Sequence, residues 1–372
     1  MKRVEHMLDS INADVVEWLD DEEVELKQAS LGHRNALPRA GLKNLNRKKQ
    51  LVVFSRLANR DEIHPGYSWR DRRSGRNQWQ RYKVRCQTAV EIQSVIGCPF
   101  DCSYCPYGTF LSVRVDVENF VDRVMKLVKQ NRTQTLYKLN NRSDTLALEP
   151  EYQLSSRLIE RFASIPRKYL LLYSKGVEVD HLLDLNHGGK TVACWTLTPD
   201  IVAQQIEPTA PSLASRLEAM EKMAASGYPI RVRFSPIVPV HDWQQVYSEL
   251  IQALKQKATP EMVTLWTLSM IPPDQLSRFV PTNMLDPKIL EAIRKNKYAT
   301  KGQKGAPFSQ TTRIAIYREI LSILKRELPH TKRAICLESK GVWEGLGSLI
   351  PPYSRGKFHC NCGPRSCPVN IS

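Results

Sequence analysis

From about residue 90 onward, short apolar runs alternate with amphipathic stretches, and this alternation restricts the fold more than any other feature of the chain. Strands are expected at 91–96, 135–140, 168–173, 191–198, 230–235, 263–269 and 333–338. Helices are expected near 116–130, 153–163, 177–186, 211–226, 242–256 and 310–327. Strand followed by helix, repeated, calls for parallel strands joined by right-handed crossovers. Six or so such units build an open or closed α/β barrel, in which chemistry sits at the C-terminal ends of the strands. With 372 residues there is chain enough for one such domain and smaller appendages. The expected division is 1–85, an acidic helix (Val15, Val16, Trp18 and Leu19 forming its apolar face) plus a basic extension, then 86–340, the barrel, then 341–372, a cysteine-containing tail.

Nine cysteines are unevenly placed. The charged N-terminus has no apolar signal core, and no run of about 18 apolar residues suggests a membrane span. A cytoplasmic, reducing setting is therefore expected, in which clustered cysteines point to metal or redox chemistry rather than disulfides. Cys98, Cys102 and Cys105 follow the first expected strand with the spacing Cys-x3-Cys-x2-Cys. Four thiolates complete an iron–sulfur cubane, and three on one loop leave one iron open to another ligand. A structural zinc site would call for four ligands in paired knuckles, and no fourth lies close in sequence. The spacing resembles the signature of the radical S-adenosylmethionine (SAM) superfamily, as does the aromatic Tyr104 just before the third cysteine. That resemblance implies a [4Fe-4S] cluster whose open iron takes SAM, and cleavage of SAM to a 5′-deoxyadenosyl radical.

A narrower resemblance rests on longer motifs. Val179-Asp180-His181-Leu182-Leu183-Asp184 with His187-Gly188-Gly189-Lys190-Thr191 is similar to the spore photoproduct lyase family. So are Ile206-Glu207-Pro208, Arg216-Leu217-Glu218-Ala219 and Ala225-Ser226-Gly227-Tyr228-Pro229. The similarity spans roughly residues 90–260. It implies a partial (β/α)6 radical SAM barrel, DNA as partner, repair of a cross-linked thymine dimer, and an electron donor such as flavodoxin or ferredoxin. It also implies SAM contacts at Lys175, Thr196, Ser143 and Asp144. From the residues alone, Ser143 and Asp144 read equally as caps of a following helix. In this family a hydrogen-donating cysteine stands where this chain has Asn141. A tyrosine follows the third cluster cysteine where this chain has Pro106, with Tyr107 one residue later. Tyr104 and Tyr107 are thus candidates for a displaced radical relay.

Other features leave alternatives open. Cys336, Cys360, Cys362 and Cys367 form a second group, readable as an auxiliary iron–sulfur or zinc site, as a thiol pair in which Cys362 supplies the hydrogen Asn141 cannot, or as incidental tail residues. Cys194 reads as a buried structural thiol facing the barrel interior, and His181 and His187 as packing residues. Residues 34–85 hold 15 Lys/Arg against three acids, most of the chain's net charge of +16, with Phe54, Tyr67, Trp69, Trp79 and Tyr82 among them. Such a segment pairs with nucleic-acid phosphates and stacks on bases, or is merely solvated. A basic loop at 294–313 offers a second phosphate clamp. Beside DNA repair stand two rivals: a radical SAM reaction on a nucleoside or peptide, and metal-dependent nucleic-acid binding without turnover.

Overall fold

The computed structural model describes residues 2–9, 52–55, 63–64, 84–85, 90–105, 111–132, 134–300, 305–350 and 360–363, with residues 16, 18, 20 and 23. The chain opens with α1 (Lys2–Asp9), β1 (Val52–Ser55), β2 (Ile63–His64) and β3 (Val84–Arg85). Next come β4 (Val90–Ile92), β5 (Val95–Ile96), β6 (Leu111–Arg114), α2 (Val117–Gln130), β7 (Leu136–Leu139) and α3 (Leu154–Ala163). They are followed by β8 (Tyr169–Ser174), β9 (Thr191–Leu197), α4 (Asp200–Ile206), α5 (Leu213–Ala225), β10 (Ile230–Ile237) and α6 (Trp243–Lys257). The last elements are β11 (Met262–Thr267), α7 (Pro287–Lys295), α8 (Lys297–Thr300), α9 (Gln310–Glu327), β12 (Lys332–Ile335), β13 (Glu338–Ser339) and α10 (Lys340–Gly345).

The main sheet runs β12-β11-β10-β9-β8-β7-β4-β2, and every pairing in it is parallel except the edge pair β2–β4. Sequential strands joined by helices thus give the expected partial barrel, whose end strands do not pair with each other. Alternation along the strands separates two environments. Tyr137, Leu139, Leu170 and Leu172 join the large apolar core that also takes in Phe120, Leu158 and Phe162 from the helices. Their neighbours Leu136, Leu171, Val192 and Cys194 form a separate cluster on the lumen side, against which Tyr169, Tyr173 and Cys362 pack. Two of the helices flanking the barrel start at serine caps: Ser212 Oγ accepts from Ser215 N for α5, and Ser309 Oγ accepts from Thr312 N for α9.

Three expectations need correction. The strand expected at 91–96 breaks after Ile92, because the Oδ1 of Asn140 accepts from Ser94 N, Ser94 Oγ and Val95 N. The chain turns there, and β5 leaves the barrel to pair antiparallel with β6 in a small sheet ordered β1-β6-β5. The helix expected at 177–186 is a single 3₁₀ turn, Asp180–Leu182, with backbone bonds running three residues back from Leu182, Leu183 and Leu185. The stretch 294–313 is not one basic loop, since Arg294 and Lys295 end α7 and Lys297 begins α8. Arg313 belongs to α9 and is buried against Glu338, so it cannot reach a phosphate. Lys301 and Lys304 lie outside the described residues, as do Tyr107, Cys86, Cys367 and nearly all of 10–89. No helix among the described residues is long and apolar enough to cross a membrane.

Candidate active site

The cysteine loop runs from β5 to β6, so both of its ends are held by an antiparallel pair rather than by a helix. Gly97 opens it with φ of 86°, a conformation that favours glycine, and donates its N–H to Arg142 O at 3.2 Å. The loop then docks on the segment after β9: Ser103 N donates to Ile206 O at 2.9 Å and Asp101 N to Thr209 Oγ1 at 2.7 Å. Ser103 Oγ also donates to Phe279 O.

These contacts place Cys98, Cys102 and Cys105 along one cleft of about 110 Å³ at the C-terminal strand ends. Asn141, Arg142, Ser143 and Asp144, which follow β7, line the same cleft with Tyr173, Ser174 and Lys175 at the end of β8 and Thr196 of β9. All four expected SAM contacts therefore meet the three cysteines. Burial pushes the Cys98 thiol well up, with Asp144 adding to the effect, and it lifts Cys102 to about 11 although Lys175 opposes this. Among the described residues no three His, Cys, Asp or Glu side chains stand close enough to hold one metal ion. A cubane instead binds each thiolate to a separate iron, so its ligands are spread around the cluster.

Asp144 caps no helix. Its Oδ1 accepts from Leu146 N and Ser174 Oγ, and its Oδ2 from Lys175 N, so it fixes the bend after β8 to the end of β7. At that bend a Cβ on Gly176 would come within 2.9 Å of Leu146 Cβ, so the close approach requires glycine. Ser143 Oγ is buried and has no partner among the described residues, and Arg142 Nε and Tyr173 Oη share that condition in the same cleft. Buried polar atoms seldom go unpaired, so this wall suits a polar ligand such as SAM.

The sequence reading missed how Lys175 is held. Its Nζ pairs with Glu207 and with the Tyr104 hydroxyl, and lies 3.8 Å from Cys102 Sγ. Glu207 also accepts from Tyr104 Oη, Thr198 Oγ1 and Arg216 NH2, each at 2.8 Å. Burial alone would raise the Glu207 pKa, but Lys175 and Arg216 together outweigh it and draw it down to about 2. Tyr104 thus braces the cysteine loop on this network, and burial pushes its phenol well up. Glu207 and Arg216 stood in the family motifs, but no local spacing marked them as a pair.

The tail reaches the lumen. Asn361 donates to Val232 O at 3.0 Å and to Cys194 Sγ at 3.5 Å, and its carbonyl accepts from Arg231 at 2.9 Å. Cys362 packs beside Tyr173 and is depressed below the usual thiol range, chiefly by a hydrogen bond from Cys360, with Lys138 and Arg233 contributing. Cys336 is half-buried near the same cations, and desolvation raises its pKa. Cys194 is buried as expected, and His187 stacks on Tyr228 at 3.9 Å and bonds Ser226 O. Asn141 donates to Glu91 and faces the cleft.

The fold and cleft define an α/β-barrel protein with a thiol-lined site at its strand ends. Residues 78–333 match the model of the spore photoproduct lyase family, and the chain belongs to that family. It is 30% identical over 170 residues to spore photoproduct lyase of Bacillus subtilis strain 168, covering 44% of this chain and 50% of that protein. It is 27% identical over 173 residues to the Geobacillus enzyme, covering 45% and 51%. The matches thus span about half the length of these relatives. A solved spore photoproduct lyase complexed with dinucleoside spore photoproduct superposes with TM-score 0.59 at 18% identity, covering 81% of this chain and 85% of that one. A variant with bound AdoMet and the same dinucleoside gives 0.59 at 18%, covering 84% and 93%. These likenesses establish a shared fold.

Proposed function

We propose that this protein is a radical SAM enzyme that repairs a thymine photoproduct in DNA. The observation that carries the proposal is the cleft itself, which gathers three cysteines from one loop, Ser143 and Asp144 after β7, Lys175 after β8 and Thr196 of β9. Cys98, Cys102 and Cys105 would hold the [4Fe-4S] cluster. Lys175 would meet the SAM carboxylate, Ser143 and Asp144 would lie toward its amino group, and Thr196 would also line the SAM site. When bound, cluster and SAM supply an electron and a 5′-deoxyadenosyl radical. The electron would come from a flavodoxin- or ferredoxin-like donor in the cytoplasm, and residues 34–85 would contact DNA phosphates.

A hydrogen source is needed where Asn141 offers no thiol. Cys362 supports that role, because it packs against the lumen cluster that Tyr173 also flanks, with Cys360 as its hydrogen-bond partner. The Cys360–Cys362 hydrogen bond holds a thiol hydrogen between the two sulfurs, with Cys362 the one against the lumen wall. A substrate carbon radical takes that hydrogen atom, forming a C–H bond and leaving a sulfur radical stabilised by its thiolate neighbour. Tyr104 braces the loop, and Tyr107 keeps only its sequence-based candidacy. The auxiliary metal reading for Cys336, Cys360, Cys362 and Cys367 remains a second reading of these thiols, with Cys336 and Cys362 near the same cations and Cys367 outside the described residues.

The test is anaerobic reconstitution followed by reduction with SAM and photoproduct-containing DNA. Formation of 5′-deoxyadenosine and thymine is expected, and Cys98→Ala, Cys102→Ala or Cys105→Ala should abolish both. Run in D2O, the product thymine should carry deuterium from the exchangeable thiol, and Cys360→Ala should lose it. Wild-type rates from the cluster variants would sink the assignment.

A further inference from the structure

Below the cofactor cleft, the lumen carries positive charge that the SAM contacts leave unused. Lys138 of β7 is only 6% exposed, and no hydrogen bond or ion pair joins its ammonium to a described residue. It lies 4.1 Å from the centre of the Tyr173 ring, and the Arg233 guanidinium lies 4.6 Å from the same centre. The two cations come from strands on either side of β8. Arg233 makes one long hydrogen bond, 3.3 Å to Ser235 Oγ. The Tyr173 hydroxyl is buried without a partner among the described residues, and its ring lines the cofactor cleft.

The available anions do not balance this group. Glu91 stands opposite Lys138 in register, yet one of its oxygens takes the Asn141 amide and the other has no hydrogen-bond partner among the described residues. Burial raises its pKa, which favours the neutral acid. The other acidic groups facing these cations are the thiols Cys362, Cys336 and, toward Lys138, Cys194; burial raises the Cys336 and Cys194 pKa values, and Cys362 alone of the three is depressed. Contact with an aromatic face returns less than the burial of an ammonium costs. The wall is rich in donors and poor in acceptors.

We infer that Lys138, Arg233 and the Tyr173 hydroxyl form a subsite for one phosphate group of the substrate, inside the barrel and next to the SAM cleft. The inference rests on the proposed reaction and narrows its substrate to a phosphate-bearing nucleotide, against a free nucleoside or a peptide. Charge-assisted donors favour a phosphate, whose oxygens accept from all three groups at once.

The experiment uses reconstituted protein with SAM but no reductant, so that binding is read without turnover. Two probes are titrated, the thymine photoproduct as a dinucleotide with its phosphodiester and as the dinucleoside without it. Wild-type protein should bind the dinucleotide at least tenfold more tightly. Lys138→Gln and Arg233→Gln should each cut that preference below threefold while the Kd for SAM stays within twofold, and Lys138→Arg should restore it. Inorganic phosphate followed by ³¹P line broadening gives an independent reading, with broadening expected for wild type and lost in both Gln variants. Equal affinity of wild type for the two probes together with no phosphate broadening overturns the subsite, as do Gln variants that keep the preference. Phosphate binding at Lys138 and Arg233 without binding of either photoproduct would leave the subsite standing and overturn the thymine substrate. Absence of 5′-deoxyadenosine in the reduction assay would instead overturn the radical reaction.

Discussion

Two sides of one sheet obey different rules. Toward the helices, Tyr137, Leu139, Leu170 and Leu172 pack with Phe120, Leu158 and Phe162 in a continuous apolar core. Toward the lumen, the same strands present Glu91, Lys138, Tyr173, Thr196, Arg231 and Arg233. The outer face gains stability by burying apolar area. The inner face holds buried charge, which is costly unless it is paired and hydrogen-bonded. Within the lumen the cost is met unevenly, for Lys175 is paired with Glu207 and Tyr104 whereas Lys138 has a ring contact but no hydrogen bond or ion pair among the described residues. A buried charge without a partner marks a place for a ligand, while a paired one such as Lys175 can brace the fold and still line the cofactor cleft.

The comparison can be broken most directly at Glu207. Glu207→Gln should destabilise the fold by about 3–5 kcal/mol, since it strands Lys175 and Arg216 in the interior. Denaturant midpoints report this, and a loss under about 1 kcal/mol would mean the network is dispensable. The same residue sets an acid limit. Its folded pKa near 2 lies below the usual 4.5, so its stabilisation is full above about pH 4.5 and fades as pH falls toward 2. Acid-unfolding curves of wild type and Glu207→Gln should converge over that window.

On the outer face, Leu158→Ala should cost about 2–5 kcal/mol by leaving a cavity against α3's neighbours. Its ability to bind SAM, measured at a temperature where the variant is folded, should be unchanged. Lys138→Met sharpens the contrast, because removal of a buried cation without an acceptor should change stability by less than about 1 kcal/mol, or raise it. A loss as large as that at Glu207 would make Lys138 a structural charge. The smallest effect is expected at Lys222, whose exposed pair with Asp180 should be deletable without a measurable change in melting temperature.

Local sequence made much of this visible. The alternation of apolar runs marked all seven parallel strands, because the period of side chains along a strand or helix is a local property. The cysteine loop was equally legible, since its ligands lie within eight residues, Cys98 to Cys105, of one another. Where the reading failed, a distant partner was responsible. Asn140 breaks the first strand by bonding residues 94 and 95, and nothing at 91–96 announces it.

The sequence alone determined the class of fold, the cysteine loop and the membership that its motifs suggested, because each is written in short-range spacing. Only the tertiary structure decided which buried charges are paired. Glu207 meets Lys175 across 32 positions, Asn361 meets Cys194 across 167, and Cys362 comes to face Lys138 and Arg233 only because the tail enters the lumen. Pairing over such separations is set by strand order and by which side of the sheet a side chain takes, and strand order is a property of the folded chain.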